Sequence, residues 1–149
     1  MDGLHPVETA LQYIFYGYIG TWYIWGGDNP KGFDCSGLAV EYLKACGLVG
    51  RNEDYTAASL YKKFSEFQTP LPTRNCLIFF KSKDKINHVE IALNDRQSVG
   101  ASGGTSKIKN EFDAMNHDAF IKVRTFHDRK PYAYINMRLA YEQINRIDN

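Results

Sequence analysis

Apolar residues recur at helical spacing through the first half of this chain and alternate with polar ones through much of the second. Residues 6–18 fit a helix: Pro6 suits a first helical position, where its missing N–H costs nothing, and Gly20 lies near a stop. Leu38, Tyr42 and Cys46 then recur every four residues behind a turn-rich stretch, which predicts a helix beginning at Cys35 and stopping at Gly47. A third helix is predicted over residues 55–67, with Ala58, Leu60, Tyr61 and Phe64 as its apolar face and Thr69-Pro70-Leu71-Pro72 as its end. Beyond it the period becomes two. In Asn87-His88-Val89-Glu90-Ile91-Ala92-Leu93 the apolar Val89, Ile91 and Leu93 share one face, so His88 and Glu90 share the other. Strands are predicted over residues 76–81, 87–94, 97–101, 120–126 and 132–138. Their close spacing and the short turn at residues 94–97 argue for antiparallel pairing. Helices followed by a meandering sheet is an α+β order.

Composition narrows what such a domain can do. The 149 residues form a single domain, 1–149, large enough to bury a core without staples, and no repeat, low-complexity tract or linker divides it. With 18 basic and 17 acidic residues the net charge is +1, so no broad electrostatic grip on nucleic acid is expected. Lys81, Lys83, Lys85, Lys107 and Lys109 give local basic character best read as a solvated face. The apolar-looking run over residues 10–25 is too short for a membrane span and contains Gln12, Gly17, Gly20 and Thr21. The first residues show no basic region followed by an apolar block, so synthesis in the cytoplasm without a visible signal peptide is expected. Three cysteines do not make a disulfide framework, and Cys35 and Cys46 would lie about 16 Å apart along one helix, too far for a bond. Neither a histidine pair nor a Cys-x-x-Cys is present, so no metal or other cofactor is expected. Gly103-Gly104 reads as a loop rather than a phosphate cradle, because no Lys-Ser/Thr helix start follows it.

Cys35 carries the strongest chemical signal. It sits where the turn residues of Gly32-Phe33-Asp34-Cys35-Ser36-Gly37-Leu38 become a helix. Unpaired backbone N–H groups and the positive end of the helix dipole favour a thiolate at such a place, and the same N–H groups can stabilise an oxyanion. Of the four histidines, His88 stands on a strand with its ring on the polar face. His5 is near a terminus, His117 lies in a polar stretch and His127 in a turn, so surface roles suit those three better.

These residues resemble the NlpC-type cysteine peptidases of bacterial cell walls, a branch of the papain-like amidases. The likeness rests on Tyr23 twelve residues before Cys35, on Trp25-Gly26-Gly27, on the phrase from Gly32 to Leu38, on His88-Val89-Glu90-Ile91, and on the apolar strand Cys76-Leu77-Ile78-Phe79-Phe80 before it. It runs over residues 7–138. It implies a papain-like fold: N-terminal helices, with the nucleophile at a helix N-terminus packed on an antiparallel sheet that carries the histidine. It further implies Cys35 as nucleophile, His88 as base, the Tyr23 hydroxyl as a contributor to oxyanion stabilisation, and Asp34 and Ser36 as recognition groups for a free amine or polar group of a stem peptide. The implied substrate is a peptidoglycan peptide, commonly at the bond between D-glutamate and a diamino acid; a monomer is expected. A wall enzyme without its own signal would arrive by release or delivery, as a phage lysin, virion component or injected effector.

Three departures from the family pattern stand out. The polar residue that follows the catalytic histidine by twelve positions is here Gly100, Glu90 replaces a glycine, and Cys76 stands where Asp is usual. With Gly100 in that place the imidazole N–H must find another acceptor, and Ser98 and Ser102 are the side-chain candidates by strand parity, with a backbone carbonyl or water as the alternatives. Gly100 also supports a second reading, a catalytically impaired wall-binding module. Glu90 and the stretch over residues 105–117 support a third, a thiol amidase or transferase acting on a non-wall substrate.

Overall fold

The computed structural model describes residues 4–21, 28–29, 32–102, 109–117 and 119–147. Tyr23, the Trp25-Gly26-Gly27 phrase, Gly103-Gly104 and Lys107 lie outside the described residues.

The first helix, α1 (Pro6–Tyr18), begins and ends where the sequence predicts, and the His5 ring accepts a hydrogen bond from the Val7 N–H at its start. Two short strands, β1 (Asp28–Asn29) and β2 (Gly32–Phe33), pair as an antiparallel hairpin that delivers the chain to α2 (Cys35–Ala45). Next comes α3 (Ala57–Phe64), whose Thr56 and Ser59 form a capping box, followed by a single 3-10 turn at Ser65–Phe67. Its inward face carries Ala57, Leu60 and Phe64; Ala58, expected on that face, is exposed.

The remaining strands are β3 (Gln68–Thr69), β4 (Cys76–Ser82), β5 (Lys85–Ala92), β6 (Gln97–Ser102), β7 (Phe120–Thr125) and β8 (Ala133–Asn136). They form one six-stranded antiparallel sheet in the order β3-β8-β4-β5-β6-β7. A short helix, α4 (Glu111–Asn116), capped by Asn110, interrupts the passage from β6 to β7. The last predicted strand is corrected at its C-terminal half: the extended segment stops at Asn136, and α5 (Met137–Ile147) follows directly. The Asn136 side chain accepts from the Leu139 N–H at 3.0 Å, a side-chain cap that turns strand into helix.

One face of the sheet packs beneath the N-terminal helices. Leu77, Phe79, Val89, Ile91, Val99, Ala101, Ile121 and Ile135 meet Leu11, Ile14, Leu38, Leu43 and Leu60 in the main core. The opposite face holds a smaller cluster of Cys76, Ile78, Phe80, Ala92 and Phe126, with Tyr134 against it. The alternation along β5 therefore has a cover on both sides, and the polar face is not open to solvent along its length: Glu90 is only 2% exposed.

Candidate active site

Cys35 is the first residue of α2, as its sequence context requires. Asp34 is the cap: its carboxylate accepts from the Gly37 N–H at 2.6 Å and from the Ser36 hydroxyl at 3.3 Å, while its carbonyl accepts from the Leu38 N–H. The amides of Cys35 and Ser36 come before the helical ladder begins, the usual position of donors left over at a helix start. Cys35 is half-buried, and its sulfur lies 3.8 Å from the Asn87 carbonyl.

That carbonyl belongs to an irregularity in β5. Phe80 pairs with His88 and Lys81 with Ile86, so Asn87 is an extra residue in its strand. A bulge of this kind bends a strand and re-aims its side chains. Ile86 and Val89 consequently both pack on the main core, three residues apart. His88 follows the bulge and is brought to Cys35, with its ring 5.3 Å from that of Phe80.

The ring nitrogen Nε2 of His88 is 2.5 Å from Glu90 Oε2. Burial opposes a charge on this imidazole, but hydrogen bonds to Cys35 and Glu90, with the charges of both, outweigh it and raise the His88 pKa from 6.5 to about 9. Nε2 is engaged by the carboxylate, so Nδ1 is the nitrogen left for the thiol.

Glu90 is held from several sides. Arg129 donates from both terminal nitrogens, at 2.7 Å to Oε2 and 2.8 Å to Oε1, the Ser98 hydroxyl donates to Oε1 at 2.5 Å, and an Arg124 nitrogen stands 3.4 Å from Oε2. Burial alone would push this carboxyl up, yet the bonds from Arg129 and His88, the charge on His88 and the bond from Ser98 hold it far below the ordinary carboxylate range. The guanidinium of Arg129 lies over the Phe80 ring, 5.0 Å from its centre, within cation–π range.

The acceptor for His88 is thus a carboxylate two residues along the same strand, in place of the hydroxyl, carbonyl or water expected beside Gly100. Ser98 is present but binds Glu90 and not the ring. Arg129 was not singled out from the sequence; it is 39 residues from Glu90, and no local pattern links them. The other histidines lie elsewhere: His5 starts α1, His117 ends α4, and His127 bonds the Asp95 carbonyl. Cys46 and Cys76 are buried free thiols.

An N-terminal helix that presents a cysteine at its start to a histidine on an antiparallel sheet defines a papain-like α+β protein. The sequence profile of the NlpC/P60 family matches residues 20–128, and the chain belongs to this family of cysteine peptidases. It is 35% identical over 102 residues to Protein P54 of Enterococcus faecium, covering 68% of this chain and 19% of that protein. It is 29% identical over 132 residues to the probable endopeptidase YafL of Escherichia coli, covering 83% of this chain and 51% of the relative. The chain thus spans about half or less of the length of these relatives. Among solved structures it resembles an NlpC/P60 family protein from Bacillus cereus, with a TM-score of 0.67 at 15% identity over 87% of this chain and 39% of the other. It also resembles the NlpC/p60 domain of the peptidoglycan hydrolase SagA, with a TM-score of 0.55 at 24% identity over 91% of this chain and 98% of that domain.

Proposed function

We propose that this protein hydrolyses an amide bond in the stem peptides of peptidoglycan, with Cys35 as nucleophile and His88 as its base. The observation that carries the reading is the approach of Cys35, at the start of α2, to the bulge in β5, where its sulfur lies 3.8 Å from the carbonyl of Asn87, the residue before His88. The Cys35 thiolate attacks the scissile carbonyl while the imidazolium of His88 holds the proton, then passes it to the departing amine. A water then attacks the thioester, returning its proton to His88 and releasing the acid. The Cys35 amide at the helix start faces the developing oxyanion, and the Tyr23 hydroxyl is assigned a share in that task by the family resemblance. Asp34 and Ser36, beside the nucleophile, are the proposed recognition groups for a free amine, and the D-glutamyl–diamino acid linkage is the proposed bond. The name of SagA, a peptidoglycan hydrolase, supports the substrate class, and that of YafL, a probable endopeptidase, supports peptide-bond cleavage.

The test is digestion of purified sacculi with mass identification of the fragments. Free amino and carboxyl termini at the D-glutamyl–diamino acid linkage are expected, and Cys35→Ala should abolish their release while the fold is kept. Iodoacetamide should modify Cys35 before Cys46 or Cys76, which are buried. Full activity in Cys35→Ala would end the reading.

A further inference from the structure

We propose that Glu90 is the positioning residue for His88, acting from the histidine's own strand and filling the space that Gly100 leaves open. The inference rests on the Cys35–His88 reading above and deepens it.

Three observations carry it. First, the reach is suited to glutamate: residues two apart on a strand share a face about 6.6 Å apart along the chain, and the Glu90 side chain spans that gap to meet Nε2 at 2.5 Å. Second, the carboxylate has no freedom to leave. Arg129 clamps both oxygens, Ser98 donates to one of them, and the side chain is 2% exposed, so the group that orients the ring is itself fixed. An Arg–carboxylate fork of this kind is geometrically specific as well as strong. Third, the space has one owner. A Cβ at position 100 would lie 2.5 Å from Glu90 Cγ and 2.9 Å from its Cδ, so a side chain at 100 and a glutamate at 90 exclude each other. The glutamate at 90 and the bare glycine at 100 are therefore one coupled change: the polar group has moved from one strand to its neighbour. The missing side chain at 100 then ceases to argue for an impaired site.

A purely structural Glu90–Arg129 pair would leave the ring's chemistry alone, and this separates the two roles. Glu90→Gln keeps the shape and removes the charge. Expected are a fall in kcat of about 100-fold or more on a soluble stem peptide with KM little changed, and a fall in the His88 titration midpoint, followed by NMR of the imidazole, from about 9 toward 6.5. Unchanged kcat and an unchanged midpoint would overturn the proposal. Should the unpaired Arg129 prevent folding, Glu90→Gln/Arg129→Gln removes both charges and is read in the same way. A second arm exchanges the strands. Gly100→Asn alone should lose activity through the clash, and Glu90→Gly/Gly100→Asn should regain at least 10-fold over that single variant; losses that simply multiply would count against the coupling. The NMR arm does not depend on turnover, so an active Cys35→Ala would sink the nucleophile assignment while leaving the Glu90–His88 coupling to be judged separately.

Discussion

Glu90 and Gly100 share one volume: the side chain of the first, from Cβ to Cδ, crowds the point where the side chain of the second would begin. The relationship makes Gly100 a size-sensitive position beside the site. Gly100→Ala places a methyl group 2.5 Å from Glu90 Cγ, and Glu90 cannot yield easily while Arg129 holds both its oxygens. Overpacking of this sort costs about 1–3 kcal/mol. We expect a drop in unfolding free energy of that order by urea titration, together with a loss of hydrolysis greater than the change in folded fraction. Wild-type stability and rate in Gly100→Ala would show that the two residues do not compete.

The raised pKa of His88 sets a pH window. Because the folded protein favours the imidazolium, this group's contribution to stability is complete below pH 6.5 and is lost as pH rises through about 9. In the proposed mechanism the acid form supplies the proton for the leaving amine, so the rate should fall on its alkaline side near the same value. Glu90 behaves oppositely. Its carboxyl is depressed, so its contribution is present above the ordinary value of 4.5 and is lost only as pH falls well below the usual carboxylate range. Urea unfolding at closely spaced pH values, compared between wild type and His88→Gln, isolates the histidine's part. A pH-independent difference between the two would contradict the assignment.

Arg129 is expected to be among the costliest single losses on this face of the sheet. Arg129→Met leaves Glu90 buried with its main counter-charge gone, and breaking a buried pair from one side costs about 3–5 kcal/mol. Arg129→Lys should recover only part of this, since an ammonium cannot grip both carboxylate oxygens in a fork as the guanidinium does. Denaturant midpoints for the two variants, with equal slopes, give the comparison. A lysine variant as stable as wild type would show that charge alone suffices.

Where the chemistry is punctuated locally, the fold was legible. Pro6 and Gly20 bracket α1, and the turn residues before Cys35 announce α2. The alternation of Val89, Ile91 and Leu93 found the core face of β5, but nothing in the period disclosed the extra residue at Asn87. A bulge is set by pairing with β4, which lies outside the strand's own sequence. The helix α5 had a readable signal in Asn136 as cap and in Met137, Ala140 and Tyr141 at helical spacing, but it was masked by the β-forming Tyr134-Ile135 just before it. Cys35 and His88 were legible as candidates because each carries its own phrase. The Glu90–Arg129–Ser98 set was not, since its members come from separate elements and meet only when β5, β6 and the turn after β7 are packed.

Asp34 has two assignable roles, and a pair of substitutions separates them. As the cap of α2 it accepts the Gly37 N–H at 2.6 Å, one residue from Cys35. Asp34→Ala removes that acceptor and should lower stability by about 1 kcal/mol, whatever happens to substrate. Asn caps a helix about as well as Asp, so Asp34→Asn should restore most of the melting temperature. It does not restore the negative charge. If Asp34 also recognises the free amine of a stem peptide, Asp34→Asn should fold as well as wild type and still show a raised KM on amine-bearing substrates, with N-acetylated ones unaffected. A KM equal to that of wild type on both substrates would confine Asp34 to the helix start.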